Sequence, residues 1–383
     1  MKIIPGPSRH HCLARIGIFL FTLALITGMA GCDGDLDLEY QLTITSTVGG
    51  HVTEPGEGTF TYHRGAVVNL VAQAEVDYGF HYWTGPLTIA DITAAVTTII
   101  MNGDYSITAN FGEITEIWDW SDLDTIRDNP SGFYLLMTDL DSTTANYTGL
   151  ASPTANEGKG WRPIGSHTIN DEFVGGFDGQ GYEIRDLFIN RPDEDFVGLF
   201  GCIDGGVIRD IGVVNASVIG NQYVSGLVGE NWGIVSHCHF TGSVTGIRAV
   251  GGLVGYNYGL ASNSYSTGSV TSTEGSVGGL VGSNEGNLRT SYSTGSVTGN
   301  SAVGGLVGGR WGTTVSNCFW DRDTSGQTTS AGGRGRTTNE MKDFSTFSGA
   351  GWNIIAVALN ETNPVYIWNI VNNVTYPFLG WQP

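Results

Sequence analysis

His237-Cys238-His239 is the segment of this chain most like a metal site, with two imidazoles and a thiol in three positions. On a strand, alternate side chains share a face, so His237 and His239 would point one way and Cys238 the other. Two histidines fall short of the three or four ligands that zinc takes. The next copy of the segment carries Asn263 and Tyr265 instead, so unmetallated histidines are expected. No glutamate follows any of the eight histidines, which excludes the His-Glu-x-x-His helix of zinc peptidases. Asp321-Arg-Asp-Thr-Ser-Gly326 places oxygens as the first half of a calcium loop would. Its twelfth position is Gly332 rather than a bidentate acid, so a turn is expected there. No metal and no cofactor are expected.

Glycan hydrolysis needs two carboxylates about 5 to 9.5 Å apart. Between Gly226 and Gly308 the only acids are Glu230, Glu274 and Glu285, and Glu230 and Glu285 are out of register by one place. The preceding stretch is richer, with Asp178, Asp186, Asp204, Asp210 and the run Asp193–Asp195. Arg185-Asp186 and Arg209-Asp210 recur as adjacent pairs, which reads as a salt-bridged turn. No catalytic residue is assigned, and a groove of acids near Asp178–Asp210 is kept as the feature that would favour a polysaccharide-active enzyme.

Two rows of equivalent residues are more informative. Asn231, Asn257 and Asn284 fall at one position, followed by Arg310 in the last copy. Stacked asparagine amides can hydrogen-bond from one layer to the next and satisfy turn backbone, a structural role. The next position holds Trp232, Tyr258, Glu285 and Trp311. Aromatic rings on an exposed turn do nothing for folding and suit stacking on a sugar, so Trp232, Tyr258 and Trp311 are the candidate ligand-binding residues. If they fold back over the edge instead, they are packing. A third row, His239, Tyr265, Tyr292 and Phe319, is flanked by Cys238, Ser264, Ser291 and Cys318. One row must face inward, and the sequence leaves open which.

These rows exist because the chain repeats. Gly-Leu-Val-Gly occurs at Gly226–Gly229, Gly252–Gly255, Gly279–Gly282 and Gly305–Gly308, at spacings of 26, 27 and 26, with a looser copy at Gly198–Gly201. Such a period marks a solenoid whose units stack on one another. Each copy contains three short β candidates, which predicts a right-handed parallel β-helix of about 26-residue coils. About six coils at about 4.8 Å each would make a rod about 3 nm long. The motif glycines are expected to let the chain turn where a Cβ is crowded. Cys238 and Cys318 lie three coils apart, about 14 Å, twice the bridging limit, so free buried thiols are expected.

The repeats resemble the GLUG motif, on their Gly-Leu-x-Gly core, the downstream Thr-Gly-Ser-Val-Thr, and Gly335–Lys342 with the final Tyr376-Pro-Phe. That resemblance covers Glu113–Pro383. It implies a bacterial exported or adhesin-like protein, and no single activity. Upstream, Gly50-His-Val52, Gly65–Val68, Tyr78–Trp83 and Tyr105–Phe111 resemble the divergent internalin-type B-repeat, a small β-grasp-like module that serves as spacer or binding accessory.

Lys2, Arg9 and Arg15 precede an apolar run, Ile16–Ala30, and Met29-Ala-Gly-Cys32 resembles a bacterial lipoprotein signal. The resemblance implies cleavage before Cys32 and lipidation of its thiol. Loss of those three basic residues takes the formal charge from −20 to −23, which repels nucleic acid and anionic headgroups.

The expected organisation is a signal (1–31), an acidic tether (32–39), the B-repeat module (40–112), an N-terminal cap (113–132), the β-helix (133–330) and a C-terminal cap (331–383). Within the N-terminal cap, Glu113–Asp128 is the helical candidate, with Ser121 and Asp124 as a capping box. The fold class is all-β. The function expected is a lipid-anchored, extracytoplasmic surface protein that binds a surface glycan or protein, without enzymatic activity. A polysaccharide lyase or hydrolase and a passive spacer are the alternatives.

Overall fold

The computed structural model describes residues 38–86, 88–167, 171–312 and 314–382. The leader, Cys32 and most of the tether lie outside the described residues.

Period-two sequences make the N-terminal module. Strands Glu39–Ser46, Gly58–His63, Tyr78–Thr84 and Tyr105–Ile117 form one sheet, and Gly50–Glu54, Val67–Ala74 and Val96–Ile100 form another. Leu42, Ile44, Leu70, Ile99, Met101, Ile107 and Ala109 turn inward around Trp83. At about 1.5–3 kcal/mol per buried large aliphatic side chain, this small core is a real contribution to stability.

The module is not a detached bead. Strand Tyr105–Ile117 runs on, and Ile114–Ile117 pairs in parallel with Phe133–Leu136, which pairs in turn with Gly176–Asp178 where the solenoid begins. Residues 113–117 are therefore strand rather than helix. The neighbouring rung Phe133–Leu136 satisfies their backbone, and Ile117 is buried. The helix is confined to Trp120–Asp124 and one 3-10 turn, Thr125–Asp128. Its capping box is built from Asp119 and Asp122, two places before the pair read from sequence. Trp120, Leu123 and Ile126 bury against the first coil.

A parallel β-solenoid of about five turns occupies residues 176–320. Residues 137–175, read as early coils, are mostly short helical turns and isolated bridges. The regular coils have four or five strand segments rather than three: four in Gln222–Val224, Val228–Asn231, Ile234–Ser236 and His239–Gly246, and five where the last is split, as at Tyr265–Ser266 and Ser269–Ser272. The register is strict: Ile208, Val235, Ala261 and Leu288 stack on one wall. Leu227, Leu253, Leu280 and Leu306 are fully buried at the motif leucine.

None of the eight motif glycines has a left-handed φ, so turning is not their role. Close approach is. A Cβ on Gly229 or Gly255 would lie 2.6 Å from the carbonyl oxygen of the preceding coil, and one on Gly226 would enter the Phe240 ring.

The C-terminal segment is a strap as well as a cap. Arg334–Arg336 adds a last rung to Phe319–Asp321. From Thr337 the chain turns back along the flank of the solenoid. Phe347, Trp352, Trp368 and Leu379 pack there on Tyr265, Tyr292 and Phe319. Trp381 reaches His239, with ring centroids 5.5 Å apart. This strap decides the open question about the third row. Cys238, Ser264, Ser291 and Cys318 face the coil interior, while His239, Tyr265, Tyr292 and Phe319 point outward and are buried beneath the strap. Cys202, Cys238 and Cys318 are free thiols.

Candidate functional site

The asparagine row is a hydrogen-bonded ladder at the core edge. Asn231 Nδ2 donates to Asn257 Oδ1 at 2.6 Å, and Asn257 Nδ2 donates to Asn284 Oδ1 at 2.7 Å. Asn231 Oδ1 also accepts the Gly233 N–H at 2.9 Å. All three side chains are fully buried. Asn257→Ala removes both amide links in a buried setting. It is expected to cost about 1–3 kcal/mol in denaturant unfolding, with no effect on ligand binding.

Most of the acids read as a potential groove are drawn into other work, while Asp204 lines a cavity with Trp232. Asp186 accepts from Ser142 and Asn215, and Arg185 pairs with Glu183 at 2.5 Å. Arg209 pairs with Asp178 of the preceding coil at 2.7 Å, with Asp210 only at 3.8 Å. The adjacent Arg-Asp pairs are thus not the main ion pairs. Asp186 and Asp210 adopt left-handed backbone, which turns each away from the arginine before it. His237 is left-handed too, so His237 and His239 do not share a face. His237 meets Asp91 of the B-repeat module at 2.9 Å, while His239 lies 3.3 Å from Glu183. Asp321 does not form a calcium loop: it caps the one-turn helix Arg322–Ser325 and accepts from Thr338 and Tyr376.

The exposed aromatics form a larger assembly than one row. Trp232 stacks on Tyr258 with centroids 3.8 Å apart and planes 13° apart, and Tyr258 stacks on Tyr256 at 4.5 Å. Tyr256 meets Tyr223, which stacks on Phe196, which stacks on His167. Trp311, 56% exposed, lies against Gly309 and is separated from Tyr258 by the turn of Glu285. The Glu285 carboxylate accepts the Tyr256 hydroxyl. Because Tyr258 covers one face of Trp232, a ligand can use only the other. That side opens on a cavity of about 250 Å³ lined by Trp232, His167, Glu172, Cys202 and Asp204.

Cys202 and Glu230 occupy the position just after Gly-Leu-x-Gly, and Tyr256, Ser283 and Gly309 continue that column. The column lies one place before the asparagines and could have been found by aligning the copies. His167, far upstream and outside the repeats, carried no such signal. His167 Nδ1 lies 2.8 Å from Glu230 Oε2, and Cys202 Sγ lies 3.6 Å from the same oxygen and 4.0 Å from Nδ1. Cys202 is 1% exposed and Glu230 5%. Burial and the Glu230 carboxylate push the Cys202 thiol far up, so without a counter-charge it is no nucleophile.

Residues 40–115 match the divergent InlB B-repeat domain, reaching into the strand shared with the solenoid. Residues 246–271 match the GLUG motif. Halomucin of Haloquadratum walsbyi is 32% identical over 204 residues, which are 52% of this chain and 2% of halomucin. A Gly-rich membrane protein of Evansella cellulosilytica is 34% identical over 84 residues, 21% of this chain and 10% of its own length. The chain thus spans a small part of either relative. Among solved structures, an IgA1 protease aligns at TM-score 0.36 and 16% identity, over 75% of this chain and 24% of that one.

Proposed function

We propose that this chain is an extracytoplasmic binding protein whose solenoid takes a glycan in the cavity beside Trp232. The observation that carries the reading is the free indole face of Trp232, 46% exposed, turned to a cavity that Glu172 and Asp204 also line. An apolar ring face suits the C–H face of a sugar, and carboxylates accept its hydroxyls. The proposed membrane link is lipidation of Cys32, and the description of one relative as a membrane protein supports an envelope location. Among the described residues no helix is long and apolar enough to cross a membrane. Binding is proposed without bond cleavage: of the acids read as a groove, Asp178 and Asp210 are engaged with Arg209 and His237, and only Asp204 lines this cavity.

A glycan array probed with the purified protein tests this. Selective binding is expected, weakened about tenfold or more by Trp232→Ala and unchanged by Trp311→Ala. A blank array, or an affinity indifferent to Trp232→Ala, overturns the glycan reading and favours a protein partner or a passive surface role.

A further inference from the structure

The floor of the cavity holds a second chemistry that does not depend on a glycan. Sγ of Cys202, Nδ1 of His167 and a carboxylate oxygen of Glu230 lie within 4.8 Å of one another. We propose that His167, Cys202 and Glu230 bind one divalent transition-metal ion of the zinc class, with a further coordination position open to the cavity.

The geometry separates this from the two other uses of such a trio. A cysteine–histidine–carboxylate relay needs the thiol on one ring nitrogen and the acid on the other. Here the thiol and the carboxylate both face Nδ1, so no proton can pass across the ring, but three donors converge on one point. A plain ion pair between His167 and Glu230 gives no reason for a buried thiol 3.6 Å from the acid. Metal bonds of about 2.0–2.3 Å at tetrahedral angles put ligand atoms about 3.3–3.7 Å apart. The three observed separations, 2.8, 3.6 and 4.0 Å, reach that range by shifts of about 0.5 Å or less each.

The site is also held in place. Cys202 and Glu230 are register partners on adjacent parallel strands, so the backbone ladder fixes their separation. The His167 ring stacks on Phe196 at 5.0 Å and 11°, and Phe196 stacks on Tyr223. The thiol excludes calcium and magnesium, which take oxygen, and an imidazole, thiolate and carboxylate set suits zinc, cobalt or nickel. On binding, the Cys202 thiol gives up its proton to solvent and its sulfur forms the metal bond, with no change of oxidation state. Glu172 or Asp204, both at the cavity, or water completes the coordination.

The test is titration of the metal-stripped protein with zinc by calorimetry, and with cobalt by absorption. One ion per chain is expected, with proton release, a raised melting temperature, and a near-ultraviolet thiolate-to-cobalt charge-transfer band. Cys202→Ser should abolish the band, and His167→Ala should weaken affinity about tenfold or more. The His167 side chain is 55% exposed, so its removal leaves folding intact and keeps the test decisive if the serine variant misfolds. Absence of saturable binding, a band that survives Cys202→Ser, or an affinity indifferent to His167→Ala overturns the proposal. Glycan binding plays no part in these readouts, so the two proposals fail separately.

Discussion

Gly279→Val is expected to lower the melting temperature of the protein by roughly 10 °C, among the largest effects of any single repeat substitution. A Cβ at Gly279 would stand 2.4 Å from the Gly305 carbonyl oxygen and 2.8 Å from Ser293 Oγ. That is about 1 Å inside an ordinary contact. The neighbouring carbonyl cannot yield freely, because Ser293 Oγ already donates to it at 2.5 Å. Overpacking costs about 1–3 kcal/mol, and the displaced buried hydrogen bond adds about 1 kcal/mol. Valine's branch enlarges the clash, and in a solenoid the strain falls on the interfaces with both neighbouring coils. Gly252→Val should behave alike, since its Cβ would meet Ser266 Oγ and the Gly279 carbonyl. Gly149→Ala, with nothing within 4 Å, is the control and should melt as the parent does. A melt of Gly279→Val that coincides with the parent's would refute the coil register described here.

The coil was legible because stacking imposes a period on the sequence: every copy must place a residue without a side chain where the next coil's backbone passes. The same strictness made the asparagine row visible at Asn231, Asn257 and Asn284. What escaped was set by contacts without periodicity. Asp91 and His237 lie 146 positions apart and meet only because the B-repeat module docks on the wall of the solenoid. Nothing in the alternating strand pattern of residues 40–111 tells which of its faces does so. The strap's course along the flank was not legible for a related reason. Its aromatics, Trp352, Trp368 and Trp381, mark it as buried, but burial over an end and burial along a flank call for the same residues. The row His239, Tyr265, Tyr292 and Phe319 was the missing clue: a second apolar row facing outward requires a cover. Trp232 was singled out for its type and place, yet its partner set crosses three coils through Phe196, Tyr223 and Tyr256. In those later coils the positions equivalent to Phe196 and Tyr223 are Ala249 and Ser276, so the feature is confined to one end.

The docked interface should show in the pH dependence of stability. Arg209 donates to Asp178 and, across the interface, to the backbone carbonyls of Phe80 and Thr93. His237 faces Asp91 at 2.9 Å and Asp210 at 3.7 Å, and Thr93 meets Ser236. Burial by itself would strip the His237 proton, but the Asp91 carboxylate and its hydrogen bond, with Asp210 behind, outweigh burial and the repulsion of Arg209 and raise His237 to about 9. Burial, reinforced by Asp178 and Asp91, pushes Asp210 up to about 6 against His237 and Arg209. Ionising Asp210 therefore weakens the fold between about pH 4 and 6 and changes nothing further above that. His237 binds its proton more tightly folded than unfolded, where the ordinary value is 6.5. Its contribution is complete below pH 6.5 and is lost as the pH rises to about 9. The full loss is on the order of 3 kcal/mol. Thermal melts from pH 6 to 9.5 should fall across that window in the parent, and His237→Asn should flatten the fall. Arg209→Met leaves Asp178 buried without its cation and two carbonyls without their donor, and should cost about 3–5 kcal/mol near neutral pH, where Asp178 is ionised. Adding Asp178→Asn should recover part of that cost, because it removes the stranded charge. If the alkaline fall persists unchanged in His237→Asn, the ion pair with Asp91 does not hold the module to the solenoid.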